Sequence, residues 1–154
     1  MANTEPFVAL ACICENILRD GDVYSAIKIV DTVAISIPTG FQGTPSVVFN
    51  ILVGLKSGDV VGKSELALAV RRPSGKPASA PQPWPILLNG GEHGVILHGK
   101  IQLPATEFGL FWFDVLWNGK RLTSIPLKLV QGLPVTPQTN EPAHGVGDSE
   151  QPER

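Results

Sequence analysis

Two cysteines in 154 residues are too few for a disulfide scaffold. No apolar run approaches the roughly 20 residues that a membrane-spanning helix needs. The early run from Phe7 to Cys14 is shorter than a span and lacks a small-residue cleavage site, so neither an anchor nor a signal peptide is expected. With no export signal, the expected setting is a reducing cytoplasm with both thiols free. Basic residues are not in excess: 12 Lys and Arg stand against 14 Asp and Glu, a net charge of −2. That removes the electrostatic case for nucleic acid, which needs a basic face to displace phosphate counterions. Helix-length stretches are also scarce, because 16 glycines and 14 prolines interrupt the chain. One domain is the default at this length.

Between the interruptions lie runs of Val, Ile, Leu and Phe that alternate with a period of two, the pattern of half-buried strands. Eight are expected: Phe7 to Leu18, Asp22 to Asp31, Val33 to Ile37, Ser46 to Lys56, Lys63 to Arg72, Val95 to Leu103, Leu110 to Trp117 and Arg121 to Val130. Turns are expected at Asp20-Gly21-Asp22, Ser57-Gly58-Asp59, Asn89-Gly90-Gly91 and Asn118-Gly119. Val47, Phe49, Ile51, Val53 and Leu55 mark one inward face, as do Leu66, Leu68 and Val70, and Val95, Leu97, Ile101 and Leu103. Such strands with antiparallel-style turns imply an all-β fold, a two-sheet antiparallel sandwich. Pro73 to Pro85, PSGKPASAPQPWP, has five prolines and reads as a loop. From Gly132 onward there are four acids, one base and almost no large apolar residue. The division is therefore a sandwich domain over 1–131 and a disordered acidic tail over 132–154.

The stretch FWFDVLWNGKRL, Phe111 to Leu122, raises a question of register. A two-residue Asn118-Gly119 loop pairs Trp117 with Lys120 and sets Phe111, Phe113 and Val115 beside Leu122, Ser124 and Pro126. An odd loop with Gly119 in a bulge sets the same three beside Thr123, Ile125, Leu127 and Leu129. The second segregates apolar from polar better and is favoured, since a one-residue slip exchanges the faces. It leaves Leu110, Trp112, Asp114, Leu116, Leu122 and Pro126 on the outside. Leu110, Trp112, Asp114, Leu116 and Leu122 are the expected interaction surface, because that face is more apolar than a solvated sheet requires. Burial of this face under the Pro-rich loop or the tail is the alternative.

Three segments, LACICE (Leu10 to Glu15), GKSELALAVRRPSG (Gly62 to Gly75) and LPATEFGLFWFDVLWNGKRLTSIPL (Leu103 to Leu127), together resemble a family of small uncharacterised bacterial immunoglobulin-like β-sandwich proteins. Cys14-Glu15 stands where that pattern has Cys-Asp, Phe111 where it has tyrosine, and Asn118 where it has aspartate. The resemblance implies an immunoglobulin-like sandwich and brings no activity with it.

Signals for chemistry are few. Cys12 and Cys14 share one face of a strand with Cα atoms roughly 6.5–7 Å apart, a spacing that suits two thiolate ligands better than a disulfide. A zinc site needs two further ligands, and His93, His98 and His144 have no short-spaced partners, so neither a metal nor a cofactor is expected. No Gly-x-Ser-x-Gly elbow and no phosphate-cradling loop occurs. Glu92-His93 falls in a glycine-rich turn, where neighbours point apart, and His98 alternates with Lys100 and Gln102 on a surface face. No catalytic residue is assigned. The expected function is a non-enzymatic binding or structural module, joining a protein partner or a second copy. A carbohydrate-binding sandwich using Trp84, Trp112 and Trp117 is the alternative, and a small hydrolase the next.

Overall fold

The computed structural model describes residues 4–133, and every regular element among them is a strand. His144 and all but Gly132 and Leu133 of the expected tail lie outside the described residues. The strands are β1 (Phe7–Asp20), β2 (Val23–Ile29), β3 (Thr32–Ile35), β4 (Ser46–Arg71), β5 (Gln82–Pro104), β6 (Gly109–Trp117) and β7 (Lys120–Gln131). They form one connected sheet in the order β2-β1-β4-β6-β7-β3, with β5 alongside β4.

That sheet becomes two layers because β4 and β5, at 26 and 23 residues, are long enough to serve in both. The first layer is β2, β1, the first half of β4 and the second half of β5. The second is the first half of β5, the second half of β4, then β6, β7 and β3. The apolar faces meet in one core, where Phe49 of the first layer packs edge-on to Phe113 of the second at 5.5 Å. The all-β two-layer class read from the sequence is therefore what the chain adopts. One pairing departs from the antiparallel expectation, since β3 runs parallel to β7.

The crossing between layers explains why seven strands replace the expected eight. Lys56 pairs with Gly94, Gly58 with Gly91 and Val61 with Asn89, so β5 carries one extra residue and then β4 carries one. Each bulge exchanges the faces of its own strand. The inward set on β4 accordingly changes from Phe49, Ile51, Val53 and Leu55 to Leu66, Leu68 and Val70. On β5 it changes from Ile86 and Leu88 to Val95 and Leu97. Ser57-Gly58-Asp59 and Asn89-Gly90-Gly91 are thus not chain reversals. Gly58, Gly90 and Gly91 have φ of 58°, 73° and 58°, and the same left-handed backbone serves a bulge as well as a turn.

The Pro-rich loop also ends sooner than expected. Gln82 to Pro85 belong to β5, with Trp84 opposite Leu66 and Gln82 opposite Leu68. This half of β5 is the edge of its layer, and Pro83 and Pro85, two apart, point their missing donors to the same side. An edge tolerates what a central strand cannot.

The favoured β6–β7 pairing is present, with Phe111 opposite Leu127 and Phe113 opposite Ile125, but it arises differently. The loop is the two-residue one: Trp117 pairs with Lys120, and Asn118 and Gly119 have φ of 45° and 81°, as a type I′ turn requires. The shift comes further along, where Val115 pairs with Thr123 but Leu116 with Arg121, leaving Leu122 as the extra residue.

The β1–β2 hairpin turns at Gly21 and then leaves the plane of its layer. His98 is level with Cys12 through Leu52, while Tyr24 is level with Arg19, seven residues further along β1. A straight hairpin would separate those levels by roughly 20 Å or more. The Tyr24 and His98 rings are instead 5.3 Å apart, so the hairpin doubles back across the outside of the first layer. Lys28, at φ 54°, marks the bend; its ammonium reaches Glu15 at 2.8 Å, and Asn50 donates to the Glu15 carbonyl at 2.6 Å.

Candidate interaction surfaces

The outer face of the second layer holds the residues expected to bind. Leu110 is 39% exposed, while Trp112, Leu116 and Leu122 are half-buried. Asp114 corrects the expectation, being only 5% exposed. Arg71 donates to both its carboxylate oxygens at 2.6 and 3.0 Å, Ser124 donates at 2.5 Å, and Arg121 stands 4.0 Å away. Ala69, directly opposite Asp114, leaves room for the guanidinium to lie along the sheet. The hydrogen bonds from Arg71 hold the carboxyl below the usual carboxylate range, against the opposing pull of burial. Arg71 also lies over the Trp112 ring at 5.9 Å. Leu122 is a second correction: as the bulge residue it packs against the core. This face is tied together by its own charges, and of its five expected residues Leu110 alone is exposed.

The larger apolar exposure lies on the first layer. On the β1–β2 hairpin, Leu18, Val23, Ile27 and Ile29 are 59%, 67%, 36% and 66% exposed. Phe7, Leu10, Val48 and Ile96, on β1, β4 and β5, add to it. The periodicity behind this is simple. Asn16, Leu18 and Asp20 pair with Ile27, Ser25 and Val23 on the outward face, whereas Ile17 and Arg19 pair with Ala26 and Tyr24 on the face turned toward the layer. Sequence alternation identified both strands but offered no sign of the doubling back, which decides which face meets solvent. Under the hairpin tip, Gly54 sits between Leu10 and Ile96 and opens a hollow of about 330 Å³ walled by Tyr24 and Leu52.

The same fold-over buries the two cysteines. Cys12 and Cys14 lie on the outward side of β1, opposite Leu52 and Asn50, yet both are buried and free. Burial pushes both thiols above their ordinary value, and each neighbours the other. Among the described residues no three metal-ligating side chains converge. His93 and Glu92 are exposed beside the β5 bulge, and the His98 ring lies tilted against Tyr24. A cleft of about 470 Å³ opens between the two halves of β5, where the polar side chains are Ser79, Gln82, Lys100 and Gln102. The tryptophans do not share a groove: Trp84 and Trp117 flank Leu66 and pack on the core, and Trp112 lies on the opposite face.

No protein-family model matches the sequence, and no curated protein matches it. Solved structures with a similar course include an alkylpurine DNA glycosylase from Pseudomonas fluorescens (13% identity, TM-score 0.47, covering 82% of this chain and 30% of that one). A β-glucosidase from Listeria innocua is similar over 87% of this chain and 17% of its own (10% identity, TM-score 0.48). An immunoglobulin-like protein from Pseudomonas aeruginosa is similar over 82% of this chain and 97% of its own (15% identity, TM-score 0.42). The chain spans less than a third of the first two. These likenesses assign neither a family nor an activity.

Proposed function

We propose that this chain is a non-enzymatic β-sandwich module that works by binding protein, through the β1–β2 hairpin side of the first layer. The observation that carries the reading is the concentration of exposed apolar side chains there, with Leu18, Val23, Ile27 and Ile29 on one hairpin. Surface patches of this kind accompany protein contacts. The titrating groups support a module without chemistry of its own. Asp114 is pinned as a carboxylate by Arg71, and the cysteines are held as thiols, whereas a general acid or nucleophile is poised the other way.

The test compares the intact chain with Leu18→Lys/Val23→Lys and with Trp112→Ala, each first checked for native circular dichroism. Sedimentation reads self-association, and affinity capture with the immobilised chain reads other partners. Loss of association in the lysine variant, with Trp112→Ala unaffected, is the expected result. Association that follows Trp112 instead returns the site to the second layer and overturns the reading.

A further inference from the structure

A sheet edge is a row of unpaired donors and acceptors, and natural sheets blunt it. Two edges of this protein are blunted plainly: β3 has only four residues, and the first half of β5 carries Pro83 and Pro85. The second half of β5 is interrupted by Gly94 and Gly99 and carries His98 and Lys100. β2, Val23–Ile29, contains no proline or glycine and one charge, Lys28, and among the described residues β1 is its sole ladder partner.

The register of the hairpin says which groups of that edge are free. Asp20 and Val23 flank the two-residue turn and form a hydrogen-bonded pair, as then do Leu18 with Ser25 and Asn16 with Ile27. The main-chain groups of Tyr24 and Ala26 therefore point away from β1. The bend at Lys28 limits the regular edge to Val23–Ile27, which centres on Ser25.

We propose that β2 pairs antiparallel with β2 of a second copy, with Ser25 on the two-fold axis. This rests on the reading that the hairpin side is the binding surface, and it names the partner. About that axis Tyr24 meets Ala26 of the partner subunit and Ala26 meets the partner's Tyr24, each exchanging both backbone hydrogen bonds. Val23 meets the partner's Ile27, apolar against apolar, on the outward face. The segment Val23-Tyr24-Ser25-Ala26-Ile27 is thus complementary to itself when reversed. No like charges face each other. A strand pair alone buries less than the roughly 800 Å² per partner of a standard interface, so the dimer fraction rises across the micromolar to millimolar range.

The axis makes a specific prediction for crosslinking. Ser25 and its mate form a non-hydrogen-bonded pair with Cα atoms about 4.5 Å apart, within disulfide reach. Val23 lies opposite the partner's Ile27, far from the partner's Val23. Ser25→Cys in the full chain should form a disulfide-linked dimer under mild oxidation roughly tenfold or more faster than Val23→Cys. Cys12 and Cys14 are buried and do not compete. Ala26→Pro removes an outward donor without touching the ladder to β1, and should abolish dimer in sedimentation while circular dichroism stays native. Equal crosslinking at both positions, no crosslinking, or a dimer that survives Ala26→Pro would each overturn the pairing. If a different protein is still captured, and Leu18→Lys/Val23→Lys abolishes that capture, the pairing fails while the hairpin reading stands. If no capture occurs either, both fail.

Discussion

The β6–β7 and β1–β2 hairpins are both rich in large apolar residues, and they end in opposite situations. In β6–β7 the apolar residues go inward: Phe111, Phe113, Val115, Leu127 and Leu129 are buried, and the outer side is closed by Arg71, Asp114 and Ser124. In β1–β2 the strands leave their layer, double back, and turn Leu18, Val23 and Ile27 to solvent. A hairpin held between neighbouring strands has its faces assigned by the sheet. One that folds over the outside of a layer spends one face on that layer and exposes the other, whatever its hydrophobicity.

The sharpest way to test the first half of this contrast is Phe113→Ala. The ring is fully buried against Phe49, so its removal should cost about 3–5 kcal/mol in urea unfolding through lost transfer energy and the cavity left. Trp112→Ala, one residue away and half-buried on the other face, should cost roughly 1–2 kcal/mol. Equal losses would mean that both faces of β6 are core. Asp114→Asn should show a smaller loss and a changed pH profile. The native carboxyl is held below its unfolded value, so its contribution is complete above about pH 4 and disappears as pH falls through the native pKa. In the Asn variant that part of the acid limb should flatten, and an unchanged limb would show that the Arg71 contact does not stabilise the fold.

Two measurements address the other hairpin. Cys12 and Cys14 should react slowly with a thiol reagent in the native chain, and faster in Tyr24→Ala, where the fold-over loses its ring contact with His98. Fast labelling of the native protein would show that the hairpin does not cover them. Ile29→Lys, at a side chain 66% exposed, should change stability by no more than about 0.5 kcal/mol. A larger loss would mean that this side of the hairpin is packed within the monomer.

Much of the core was legible in the alternation, because a strand buried on one face writes its inward set at every second position. Phe49, Ile51, Val53, Leu66, Leu68, Phe113 and Leu127 were all identifiable that way. The bulges were harder. Ser57-Gly58-Asp59 and Asn89-Gly90-Gly91 carry the same residues whether the chain reverses or merely shifts by one, and only the pairing partner distinguishes the two. Leu122 shows the same limit, since the Asn118-Gly119 loop and the apolar segregation each pointed to a different register, and a bulge satisfies both. The interaction surface was least legible. Asp114 reads as an outward charge, and its burial depends on Arg71 from a strand 43 positions earlier.

What the sequence determined by itself is local: strand periodicity and the glycines that admit left-handed backbone. Tertiary structure decided how β4 and β5 cross between layers, that Asp114 is a buried ion-pair partner, and that Cys12, Cys14 and Leu52 are covered. The physical reason is that a period of two separates the faces of a strand but does not say what lies against each. For the central strands the core answers for one face. For the outer faces the answer comes from chain far away in sequence, and for β1–β2 from the bend at Lys28 that folds the hairpin back over its own layer.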